Sequence, residues 1–284
     1  MNSCQKVFSA CVLALLTQAA FAQSAPELGS ASNFAVLSAA PNGAGAVTCT
    51  GGSIDGDVGS SGPEASVVQT EGCIITGAII APVSAGVLDD FNDAYDALAG
   101  QSCDSFLTGT LADVSLTPGV YCFSAAATLT GTLTLDGGST DTWLFKVGTS
   151  GTGALTGTNF SVVMTDDASA CNVTWWVAEA ATMTTSDFKG TILAGADITM
   201  TGTSPGTPAE GRALAKAAVT LTQMAFVGCE GGSLGGTAHP KCNQGVGNGP
   251  EGCDPGNSNQ GNPFRSNDEL GGTPGNPGKK GGNR

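Results

Sequence analysis

A large apolar residue alternates with threonine in Thr128-Leu129-Thr130-Gly131-Thr132-Leu133-Thr134-Leu135. The pattern returns as Ala154-Leu155-Thr156-Gly157-Thr158, Thr182-Met183-Thr184-Thr185, Thr199-Met200-Thr201-Gly202-Thr203 and Val219-Thr220-Leu221-Thr222. In an extended strand of period two, this order sends the apolar side chains to one face and the hydroxyls to the other. A second kind of strand, Trp143-Leu144-Phe145-Lys146-Val147 and Val173-Thr174-Trp175-Trp176-Val177, is interleaved with these copies. Leu129, Leu155, Met183, Met200 and Leu221 follow one another at intervals of 26, 28, 17 and 21 residues. Units of that length cannot bury an apolar face alone, so the spacing predicts stacked rungs joined by loops of varied length.

The earlier part of the chain fits the same scheme. Phe34-Ala35-Val36-Leu37 reads as a short apolar strand, and the runs Gly52 to Gly59 and Gly72 to Ile80 read as short strands broken by glycine at tight corners. One stretch changes period: Val87, Phe91, Ala94, Tyr95 and Leu98 recur at helical spacing with Asp89, Asp90, Asp93 and Asp96 between them, and Gly100 follows. That predicts a helix over about 84–99 whose apolar stripe needs a partner surface. Together these elements predict an all-β fold, an irregular right-handed parallel β-solenoid with one α-helix packed alongside. An antiparallel β-sandwich is the competing arrangement for short strands with turn signals.

The two ends differ from the middle. Lys6 precedes the apolar run Val7 to Leu16, and Ala20-Phe21-Ala22 has the small-x-small pattern of a signal-peptidase site. Residues 1–22 therefore read as a secretory leader, too short to stay as a membrane span, and the protein as secreted and extracellular. Residues 23–229 form the solenoid domain. Residues 230–284 are rich in Gly, Asn and Pro and too poor in large apolar residues to build a core. The tail is an expected site of cell-surface or matrix association.

Beyond the leader there are eight cysteines: Cys49, Cys73, Cys103, Cys122, Cys171, Cys229, Cys242 and Cys253. An even number in an exported chain points to disulfides. Of the 105 pairings that eight cysteines allow, local separation favours Cys49 with Cys73, Cys103 with Cys122 and Cys242 with Cys253, which leaves Cys171 for Cys229.

Charge and residue types exclude several functions. Between Pro26 and Cys229 nineteen acidic residues face four basic ones, a net of −15, which repels nucleic acid and anionic lipid. The lone histidine, His239, lies in the tail, so a Ser-His-Asp or Cys-His catalytic group in the solenoid is excluded. No CxxC pair or other metal-ligand spacing exists. The acidic pairs Asp55/Asp57, Asp89/Asp90 and Asp166/Asp167 fall at turns or on the helix, where solvated carboxylates are the ordinary outcome. Arg212, the domain's only arginine, is expected in a structural ion pair or carbonyl contact. The sequence implies no enzyme and no cofactor.

What remains is a surface. Stacked rungs about 4.8 Å apart, each with threonines at i and i+2 about 6.6 Å apart, form a two-dimensional array of methyls and hydroxyls. Threonine is stiff at χ1, so the array is ordered before it meets a partner and suits a crystalline one. The candidates are Thr128, Thr130, Thr132, Thr156, Thr158, Thr182, Thr184, Thr201, Thr220 and Thr222. Asp187 and Lys189 follow the rung at Met183 closely, and both would disturb such an array unless the strand turns a corner first.

Several motifs carry a resemblance. Leu28-Gly29-Ser30-Ala31-Ser32-Asn33-Phe34-Ala35-Val36-Leu37, Gly56-Asp57-Val58-Gly59, Ala94-Tyr95-Asp96-Ala97-Leu98, Leu116-Thr117-Pro118-Gly119-Val120-Tyr121, Phe188-Lys189-Gly190-Thr191-Ile192-Leu193-Ala194 and Gly211-Arg212-Ala213-Leu214-Ala215, with the rung from Leu129 to Asp136, resemble the ice-binding-like family in its own order. The resemblance implies a triangular β-helix with a helix along one side, and adsorption to an ice crystal surface through one flat face without metal or cofactor. A monomer is expected. The alternative is a structural or adhesive surface module that keeps the scaffold without affinity for ice.

Overall fold

A computed structural model describes residues 26–229. The leader and tail read from the sequence, with Cys242 and Cys253, lie outside the described residues. Among the described residues every strand pair is parallel, and eighteen strands form one continuous sheet, which rules out the antiparallel sandwich. The sheet is wound so that its strands stack in three columns.

The first column is made of β1 (Phe34–Ser38), β3 (Asp57–Ser60), β6 (Ile79–Ile80), β7 (Ser105–Phe106), β9 (Gly119–Phe123), β11 (Trp143–Val147), β13 (Val173–Val177), and the second halves of β15 (Phe188–Ala194) and β17 (Thr207–Ala215). The second holds β4 (Val67–Thr70), β14 (Ala181–Thr184), β16 (Ile198–Thr201), and the first halves of β2 (Val47–Asp55), β10 (Ala127–Asp136), β12 (Leu155–Thr165) and β18 (Val219–Gly228). The third takes the remaining halves of these long strands with β5 (Ile74–Ile75) and β8 (Val114–Leu116).

The chain does not stack its coils in sequence order. The first coils form one end, α1 (Ala85–Gly100) carries the chain toward the other, and later coils return until β17 pairs with β1 and β18 with β2. Sixteen residues of helix span about 24 Å, or five rung spacings. The helix buries Val87, Phe91, Ala94, Tyr95 and Leu98, the stripe its periodicity predicts, against Leu37, Val120, Leu144, Trp176, Leu193 and Leu214 of the first column. Its last turn leaves carbonyls without intrahelical partners. Buried Lys146 donates to two carbonyls there, Ala99 O at 2.8 Å and Gln101 O. Burial pushes the Lys146 ammonium below the ordinary lysine range.

Tyr95 fastens the middle of the helix, donating its hydroxyl to Val177 O at 3.0 Å. Burial, and secondarily the Asp96 carboxylate, push the phenol up from 10.0 to about 12. The unfolded chain ionises this tyrosine first. Its contribution to stability is therefore full below about pH 10 and is lost as pH rises toward about 12. Denaturant titrations across that window are expected to show falling stability, and Tyr95→Phe is expected to flatten the slope.

Inside the coils Phe145 stacks on Trp175 with centroids 4.0 Å apart, and Phe160 and Phe188 close on the same indole from the third column. Disulfides join Cys49 to Cys73, Cys103 to Cys122 and Cys171 to Cys229. The first two fasten an outer coil at either end of the stack to its inner neighbour. Arg212, almost fully buried, donates from Nε to Ser32 O at 3.2 Å and so holds the entry segment against the first column.

Candidate functional site

The second column carries the threonines. Thr128, Thr156, Thr182, Thr199, Thr220 and Thr48 are direct neighbours on successive rungs, with Val68 closing the row. Two residues on, Thr158, Thr184, Thr201, Thr222, Thr50 and Thr70 form a second row. Between the rows Leu129, Met183, Met200, Leu221 and Cys49 point inward and are almost fully buried. On β12 the same position is Gly157, and the Met183 side chain fills the space: a Cβ there would lie 2.5 Å from Met183 Sδ. On β4, the last rung, it is Gln69, which is exposed.

Register is unbroken from Thr156 and Thr158 through to Val68 and Thr70. The one shift falls between Leu129 and Gly131 against β12, which leaves Thr130 beside the second row rather than in step with it. Six threonines in a row span about 24 Å, with the rows about 6.6 Å apart. Thr50 and Thr70 share a hydroxyl hydrogen bond of 2.9 Å. Each threonine keeps partial or full exposure.

The edge of the surface is set by backbone conformation. The residue after the second-row threonine is left-handed in several coils: Asn159 (φ 48°), Thr185 (φ 49°), Gln223 (φ 53°) and Gly51 (φ 62°). The strand turns there onto the third column. Consequently Asp187 and Lys189 belong to the third column, where Lys189 pairs with Asp187 at 3.4 Å and Glu210 at 3.6 Å. Thr132 belongs there too. Gly131 (φ 73°) turns β10 before it, and Thr132 lies opposite Ser161 rather than a threonine.

Of the sequence candidates, the structure therefore brings together Thr128, Thr156, Thr158, Thr182, Thr184, Thr201, Thr220 and Thr222, sets Thr130 at the margin and removes Thr132. It adds Thr199, which the recurring Thr-Met-Thr already showed, and Thr48, Thr50 and Thr70. Thr48-Cys49-Thr50 carries the same alternation, but it lies far from the other copies in sequence and joins them only when β18 pairs with β2.

Neither row contains a charged side chain. The positions two residues before the first row hold Ala126, Ala154, Ala180, Asp197, Ala218, Ala46 and Ser66. Among the described residues no group of three or more His, Cys, Asp or Glu is placed to hold a metal ion, and no helix is long and apolar enough to cross a membrane.

A family model described as ice-binding-like matches residues 42–227, which takes in both threonine rows. The chain belongs to the ice-binding-like family. Among its relatives, an ice-binding protein of Flavobacterium frigoris (strain PS1) is 32% identical over 212 residues, covering 68% of this chain and 73% of the relative. One from Nostoc sp. (strain HG1) is 37% identical over 203 residues, covering 68% and 72%. The crystal structure of an ice-binding protein from an Antarctic biological consortium superposes with a TM-score of 0.60 at 30% identity, over 72% of this chain and 90% of that one.

Proposed function

We propose that this member of the ice-binding-like family adsorbs to ice through the two threonine rows, acts outside the cell after export, and does so without catalysis. The observation that supports the reading is the long, in-register, charge-free array of the second column. A hydroxyl hydrogen-bonds to lattice water while the γ-methyl beside it sheds poorly bonded water on contact. Because parallel strands fix the rungs and β-branching fixes χ1, little conformational entropy is lost when the array meets an equally ordered surface. An ion would interfere, since a charge gives up its hydration shell at high cost. Adsorbed molecules pin the crystal, and a front forced to bulge between fixed obstacles gains surface energy and freezes at a lower temperature.

The disulfides suit an oxidising compartment and support export. Thermal hysteresis and ice-recrystallisation measurements on the purified protein test the reading. A freezing gap and arrested grain growth at micromolar protein are expected; behaviour equal to that of serum albumin would sink it.

A further inference from the structure

Resting on the ice-binding reading of the threonine rows, we infer that Asp197 limits the affinity of this surface, and that contact with the crystal extends over the row Asp197 occupies. The extended backbone continues one residue before the strands of the second column. The amides of Leu155, Ala181, Ile198 and Val219 donate at 2.9–3.0 Å to the carbonyls of Ala180, Asp197, Ala218 and Ala46 on the next rung. Strand alternation therefore carries back to these residues, and each points outward on the side of the threonine two places on.

Ala180, Asp197 and Ala218 are consecutive in this row, so an exposed carboxylate interrupts a line of methyls about 6.6 Å from Thr199. It is the one ionic group among the positions of the three rows, and no salt bridge among the described residues neutralises it. One oxygen accepts the Ala218 amide at 2.9 Å and ties two coils together, which gives the residue a structural reason to be there. A carboxylate has about four acceptor sites, and those left to water hold a shell that does not follow a crystal lattice. Adsorption over this row has to strip or distort that shell.

Asp197→Asn keeps an oxygen for the Ala218 amide and removes the charge. In the full chain this variant is expected to reach half-maximal thermal hysteresis at about a third of the wild-type concentration. Asp166→Asn makes the same charge change on an exposed turn away from the surface and is expected to leave the curve unchanged. Ala180→Tyr tests the row independently of any charge and is expected to depress hysteresis as a tyrosine in the threonine rows does. A wild-type curve for Asp197→Asn, an equal gain in Asp166→Asn, or full activity in Ala180→Tyr overturns the inference. Thr182→Tyr separates the two readings: if it abolishes hysteresis while Asp197→Asn and Ala180→Tyr change nothing, the threonine rows stand and this inference falls. If Thr182→Tyr is fully active, the surface itself is misassigned.

Discussion

Tyrosine at position 201 is expected to remove thermal hysteresis almost entirely, with at least about a tenfold loss at equal concentration. Thr201 sits between Thr184 and Thr222 in the second row, so it has array on both sides. A phenol there stands several ångströms above the neighbouring methyls and hydroxyls and holds them off a flat crystal face. The loss is larger than the worth of one threonine because many contacts go together. Stability is expected to change little: Thr201 points outward from its strand, and tyrosine is at home in strands. Thr134→Tyr on the third column makes the same chemical change on a surface that also carries charges, and hysteresis is expected to persist there. Activity of Thr201→Tyr within about twofold of wild type, with an unchanged melting curve, would move the binding surface elsewhere.

Much of this surface is legible in the sequence because its cause is local. Alternation of Thr with Leu or Met fixes which side chains point in and which point out, and the recurring copies imply stacking. The helix is legible for the same reason, its stripe from Val87 to Leu98 being the buried one. Two features depend on events that local pattern does not encode. The first is the corner. Thr185 and Gln223 adopt a left-handed conformation that glycine or asparagine would signal and these residues do not, so the sequence leaves Asp187 and Lys189 apparently in line with Met183. The second is the order of coils. Thr48 and Thr50 join the array through pairing of β2 with β18, across some 170 residues of chain, and nothing near either strand announces the other.

Trp175→Ala is expected to cost about 3–5 kcal/mol, the usual range for deleting a large buried aromatic. The indole is fully buried and stacks on Phe145, with Phe188 and Phe160 against its other sides. Its Nε1 donates to Lys189 O at 3.1 Å, so truncation leaves a cavity and removes that hydrogen bond as well. In a domain of this size each kcal/mol moves the melting temperature by about 2–4 °C, so a fall of about 10 °C is expected by circular dichroism. Trp175→Phe keeps most of the ring contact and should lose a smaller share. The position matters because Trp175 comes from the first column while Phe160 and Phe188 come from strands of the third. These rings lock the walls that hold the threonine surface in register. Near the freezing point hydrophobic burial stabilises less per unit area than it does in warm water. Direct ring-to-ring contact and the disulfides at both ends of the stack therefore carry a larger share of the rigidity where the surface works. Hysteresis of Trp175→Ala, measured well below its melting temperature, is expected to fall far less than that of Thr201→Tyr. The opposite ranking would mean that the core variant had disturbed the rows themselves.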